Sequence, residues 1–112
     1  MKKILIPTCA ALIALVAAPR LAADAKDNWT KNCASCHGPD GAGHTKAGRM
    51  AQVKNFTDAK YQATFTDDDD ATQIKGGLKD KDTGKEKMKA FGDKFSDDEI
   101  KALVQYVRAF KQ

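Results

Sequence analysis

The sequence predicts an all-α domain. Two observations carry that prediction. The C-terminal segment repeats apolar residues at the helical period behind a strong start signal. Nowhere do apolar and polar residues alternate as a half-buried strand requires. With 112 residues, the chain has room for one such domain at most.

The first element is not part of the domain. Lys2 and Lys3 precede a mostly apolar run from Ile4 to Ala18, and small residues follow at Ala22, Ala23 and Ala25. That order reads as a secretory signal peptide over 1–23, with cleavage after Ala23 or after Ala25. The run is short for a bilayer span and is interrupted by Pro7 and Thr8. Stable membrane insertion after cleavage is therefore not expected, although a retained leader would act as an anchor. Cleavage after Ala23 leaves residues 24–112 as the domain, and Lys2, Lys3 and Arg20 leave with the leader. Net charge then falls from +4 to +1, which argues against a nucleic-acid partner. About a third of the remaining 89 residues are apolar, few for so short a chain to stabilise itself by burial alone. A staple is expected.

Residues from about Asp24 to Ala34 read as helix, with Ala25, Trp29 and Cys33 on one face. Trp29 is expected in the core. Gly38, Pro39, Gly41 and Gly43 then break the chain into a loop. Thr57-Asp58 opens a short helical turn through Ala63. Thr66 opens a further helix that stops at Gly76-Gly77. Its first turn holds Asp67 to Asp70, better explained as a helix start than as a calcium loop. The last helix runs from about Asp97 to Lys111. Ser96 and Glu99 form its capping box, and Ile100, Leu103, Val104 and Val107 fall at i, i+3, i+4 and i+7.

Once Cys9 leaves with the leader, the only cysteines are Cys33 and Cys36, so a multi-bridge disulfide scaffold is excluded. They stand in Cys33-Ala34-Ser35-Cys36-His37, and C-x-x-C-H is the attachment signature of c-type haem. Two cysteines at this spacing can form thioethers with the two vinyl groups of a porphyrin. The adjacent imidazole of His37 can then bind the iron. A thioredoxin-like redox pair would open a helix in a βαβ setting, and no strand pattern precedes Cys33. A zinc site would need a fourth ligand, for which only His44 is available at poor spacing.

The second axial position decides whether such a haem carries electrons or binds a substrate. Met88, Met50 and His44 are the candidates. Met88 is favoured, because it lies in the polar loop Glu86-Lys87-Met88-Lys89 with no helical face for an apolar thioether to join. His44, between Gly43 and Thr45, suits a solvated loop.

These residues resemble a small class I c-type cytochrome of the bacterial monohaem kind, related to cytochromes c551 and c553 and to the cytochrome domains of cbb3-type oxidases. The likeness rests on Cys33 to Gly41, on Met88-Lys89-Ala90-Phe91-Gly92, and on Ser96 to Val107, in the family's order across nearly all of 24–112. It implies a cytochrome c fold of four to five short helices around one covalently bound haem c, with the N- and C-terminal helices crossing. It implies thioethers at Cys33 and Cys36, axial iron ligation by His37 and Met88, and one-electron transfer rather than enzymatic turnover. The expected protein is a monomeric periplasmic carrier between respiratory-chain or dehydrogenase partners. The other readings are a subunit of a larger oxidoreductase, or a haem peroxidase or gas sensor if the Met88 bond is labile. Lys89 stands where many relatives have proline. No proline follows Pro39, so a backbone carbonyl near Gly48 to Met50 is the candidate acceptor for the imidazole N–H.

Lys79, Lys81, Lys85, Lys87, Lys89 and Lys94 crowd the segments around Met88, with Asp67 to Asp70 elsewhere. Ordinary solvation explains such a run as well as function does. The functional expectation is a charge dipole that turns the methionine side of the haem toward an acidic redox partner.

Overall fold

The computed structural model describes residues 18–112. Most of the proposed leader, Cys9 included, lies outside the described residues. Six helical segments and one small hairpin follow in order: α1 (Ala18–Asn32), α2 (Ala34–His37), α3 (Lys46–Ala51), α4 (Ala59–Gln62), α5 (Asp67–Gly76), β1 (Leu78–Lys79), β2 (Glu86–Met88) and α6 (Asp97–Arg108). The predicted helical class holds. Among the described residues no helix is long and apolar enough to cross a membrane.

The start signals are realised as read. Ser96 Oγ accepts from the Glu99 amide at 3.2 Å, and the Glu99 carboxylate accepts from the Ser96 amide at 3.0 Å. Thr66 and Asp69 make the same reciprocal pair at the head of α5. The Asp58 carboxylate caps α4 through the Lys60 amide. Each cap satisfies amides that have no partner inside the helix.

The core forms where the periodicity placed it. Ile100, Leu103, Val104 and Val107 of α6 are buried, together with Trp29 of α1 and Phe56, Ile74 and Phe95. The N- and C-terminal helices pack directly on one another. The Trp29 ring lies 5.6 Å from Tyr106 and 5.0 Å from Phe110, centroid to centroid.

Four expectations need correction. Helix α1 is already formed at Ala18, where the described residues begin, rather than from near Asp24, and it ends at Asn32, where Cys33 becomes the N-cap of a separate one-turn helix. Both proposed cleavage points therefore lie inside α1, and Ala25 beyond the first is only 2% exposed. The segment holding Met50 is helix α3, which Thr45 caps by accepting from the Gly48 amide. Helix α6 stops at Arg108, three residues short of Lys111. Finally, the polar stretch around Met88 is a hairpin. Leu78 pairs with Met88 and Lys79 with Glu86, with an irregularity between Leu78 and Lys79. Strands this short bury no face, so no alternation could announce them.

One polar side chain is deeply enclosed. Gln62 Nε2 donates to the carbonyls of Phe56 at 2.9 Å and Val107 at 2.8 Å, which ties α4 to α6. Arg108 Nη1 donates to Gln62 Oε1 at 2.9 Å, and its guanidinium also reaches the Phe65 carbonyl and Asp67. A Gln62→Leu substitution leaves the Phe56 carbonyl without a donor and takes an acceptor from Arg108, while the Val107 carbonyl keeps the Phe110 amide. We expect it to cost about 1–3 kcal/mol of stability in denaturant titration of the holoprotein, by the usual penalty for an unsatisfied buried group.

Candidate haem site

The motif turn is held from three directions. Trp29 Nε1 donates to the Gly38 carbonyl at 3.0 Å inside the core, fixing the end of α2 against α1. The Phe56 ring stacks on the His37 imidazole with centroids 5.1 Å apart and planes at 21°. Behind the turn, Thr45 Oγ1 lies 2.8 Å from the Ser35 carbonyl and 2.9 Å from that of Cys36. Here α3 comes so close that a Cβ on Gly48 would stand 2.2 Å from the Cys36 carbonyl. Only glycine fits that position.

Met88 approaches from the other half of the chain. It ends β2, and the residues after it are pinned onto α5: the Phe91 amide donates to the Ile74 carbonyl at 2.9 Å and Gly92 to Lys75 at 3.1 Å. Gly77 makes the turn between α5 and the hairpin with a φ of 70°, and a Cβ there would meet the Met88 carbonyl at 2.5 Å. The Gln73 amide points at the Met88 sulfur, with Nε2 3.8 Å from Sδ.

Between these two halves lies an open cleft of about 660 Å³, within the ~300–1,000 Å³ usual for cofactor pockets. Cys33, Cys36, His37 and Met88 all line it. The fold thus brings all four predicted site residues to one cavity. Met50 and His44 are left aside: Met50 is 78% exposed, and His44 is exposed and absent from the cleft wall. A smaller cavity of about 30 Å³, which shares Cys33, His37 and Met88 with the cleft, is walled by Trp29, Phe56, Ile74, Phe95 and Leu103 and gives this side of the site an apolar backing.

The donor set fits a haem. His37 Nδ1 is buried and finds no hydrogen-bond partner among the described residues. The expected carbonyl near Gly48 to Met50 therefore does not meet it. Their peptide groups are turned to the helical bonds and caps of α3. Burial holds the His37 imidazole below its ordinary value, in the neutral form that ligates metals. Burial, then the charge of Asp70 and the neighbouring Cys36, pushes the Cys33 thiol up to about 11. A redox cysteine needs a lowered value, so this environment does not suit thioredoxin-like exchange. Among the described residues no three His, Cys, Asp or Glu side chains stand together as metal ligands would.

The sequence reading missed several lining residues. Asp70 was assigned to a solvated helix start, yet it faces the cavity. Gln73, Tyr61 and Lys54 also line the cavity. The helical period places Asp70 four residues before the buried Ile74, so the inward face of α5 was readable in principle.

Haem attachment is what closes the core, so a Cys33→Ala/Cys36→Ala variant made without haem is expected to be largely unfolded. A cooperative thermal transition in that variant, followed by circular dichroism, would contradict this.

Comparison with known proteins agrees with the geometry. The cytochrome c family model matches residues 22–111. The solved structure of the c-type cytochrome KustC0563 superposes with a TM-score of 0.70 at 34% identity, covering 79% of this chain and 98% of that one. A tyrosine-to-phenylalanine mutant of the same cytochrome gives a TM-score of 0.68 at 35% identity, covering 79% of this chain and 99% of that one. No curated protein matches. A cleft lined by the C-x-x-C-H turn and a late methionine, in a chain matched over nearly all its described length, places this protein in the cytochrome c family, as a small monohaem class I member with covalently bound haem c.

Proposed function

We propose that this haem electron carrier works in the periplasm with His37 and Met88 as axial iron ligands and with Cys33 and Cys36 as the thioether anchors. The observation that carries the reading is the single cleft that all four side chains line. When bound, haem supplies one reversible electron between its ferric and ferrous states. The chain's residues set the conditions for that exchange.

Phe56 and Trp29 keep the imidazole of His37 from turning, through ring contacts at 5.1 and 5.6 Å. The hairpin and the two bonds onto α5 hold the Met88 sulfur at the opposite wall. A thioether held this firmly supports a six-coordinate carrier with a raised potential rather than a peroxidase or gas sensor, which would need an open position. The aromatic and aliphatic side chains behind the cleft would shield one side of a bound haem from water, which lowers the solvent reorganisation that accompanies a change of charge.

In this reading residues 1–23 are the export leader. Cutting after Ala23 keeps Ala25, which packs in the core; cutting after Ala25 would remove it. The carrier is read as a monomer that meets acidic redox partners. Lys54, Lys87 and Lys89 line the cleft mouth, while Lys79, Lys81 and Lys85 cluster around the adjoining hairpin. None of these six makes an ion pair among the described residues. The opposing pole is weaker than the sequence suggested. Asp67 pairs with Arg108 at 2.7 Å, Asp69 is spent on its cap, and Asp70 turns inward.

Replacing Met88 with Ala should abolish the weak red charge-transfer band of a thioether-ligated ferric haem. It should also open the ferrous protein to carbon monoxide and lower the midpoint potential. A Met88→Ala holoprotein that kept the band would disprove the ligation.

Electron exchange with an acidic redox protein should slow steeply as salt rises, because screening removes the attraction of the lysine rim. Stopped-flow rates independent of ionic strength would rule out steering by that rim.

A further inference from the structure

One ionisable group in the haem cavity has no part in the reading above. The Asp70 carboxylate lines a smaller cavity of about 30 Å³ that shares Cys33, His37, Phe56, Gln73 and Met88 with the cleft. Its Oδ2 is buried and finds no hydrogen-bond partner among the described residues. Asp67 pairs with Arg108 and Asp69 closes the capping box with Thr66, so Asp70 stands apart from both.

Few groups can compensate its charge. From α6, Arg108 attracts it, but that guanidinium is engaged by Asp67, the Gln62 amide oxygen and the Phe65 carbonyl. On its own helix Asp67 repels it. From α4, the Tyr61 phenol feels it and is itself pushed upward, by burial first and by Asp70 second. At the junction of α1 and α2, Cys33 is uncharged as a thiol and would be as a thioether. On α2, burial keeps His37 neutral. The facing part of β2 offers Met88, which carries no charge. A carboxylate so placed is costly unless a positive charge or a proton balances it.

We propose that Asp70 couples haem reduction to proton uptake. With ferric haem bound, the iron would add a positive charge to the site, which would favour the Asp70 carboxylate. A one-electron donor protein is oxidised, the iron becomes ferrous, and the site loses one positive charge. A proton from solvent then binds the Asp70 carboxylate to give the carboxylic acid. Oxidation by the acceptor protein reverses both events, so one electron and one proton move together. The side chain is half-buried rather than sealed, which leaves the proton a route to water. Burial first, with the charge of Asp67, pushes the Asp70 carboxyl up to about 6 against the pull of Arg108. This inference rests on the electron-carrier reading.

The test is the midpoint potential of wild-type and Asp70→Asn holoproteins, titrated on both sides of that value. Wild type should lose potential as pH rises, towards a limit of about 59 mV per pH unit for one proton per electron. Asp70→Asn should be markedly flatter, any residual slope belonging to the haem propionates. A flat wild type, or a variant with the wild-type slope, overturns the proposal. The charge-transfer band read on the same samples reports axial ligation separately, so a failed slope with the band intact overturns Asp70 alone. If Asp70→Asn does not mature, wild type carrying isotope-labelled aspartate serves instead. Its redox-difference infrared spectrum should gain a label-sensitive carboxylic acid band on reduction, and the absence of that band overturns the proposal.

Discussion

The Trp29 indole donates to the Gly38 carbonyl inside the core, and the orientation of the haem-binding turn depends on that bond. On its own α2 is a four-residue helix running into a glycine-rich loop, too short to hold its direction unaided. With it, the turn is attached to α1, and α1 is packed against α6. The same indole lies 5.6 Å from the His37 ring and 5.0 Å from Phe110. One residue thus links the haem motif, the N-terminal helix and the C-terminal end of the chain.

The two sides of the cleft are built differently. The cysteine and histidine side is made by local bonds within Cys33 to Gly48, including the Thr45 hydroxyl and the close approach at Gly48. The methionine side comes from α5 and its hairpin, joined to the first side through α6 and the aromatic cluster. Between them the polypeptide leaves space for a large apolar group. That explains how a chain with so few apolar residues can be stable: the porphyrin occupies the volume that side chains would fill in a haem-free domain.

Much of this was legible in the residues. The caps at Thr66 and Ser96 and the stripe from Ile100 to Val107 are local signals, and each is found where it was read. The cysteine–histidine motif identified the cofactor because its spacing is tied to porphyrin chemistry. Other features had no local signature. Helix α3 is only six residues long, and it owes its place to Thr45 and Gly48 meeting a distant turn. The hairpin strands are too short and too exposed for their pairing to leave a pattern. Asp70 was hidden by its company. Four consecutive aspartates look like one electrostatic feature, whereas a helix rotates each by about 100° and sends them to different surroundings.

The hairpin that carries Met88 has a turn built from its own groups. The Asp80 carboxylate accepts from the Asp82 and Thr83 amides, and the Asp80 amide donates to the Lys85 carbonyl at 2.7 Å. That turn touches neither wall of the cleft, yet it displays Lys81 and Lys85. Residues there can be exchanged, shortened or extended while the sulfur stays anchored by the bonds at Ile74 and Lys75. The turn and the methionine are mechanically uncoupled within a few residues of each other, so the surface of the hairpin can vary while the placement of the sulfur stays undisturbed.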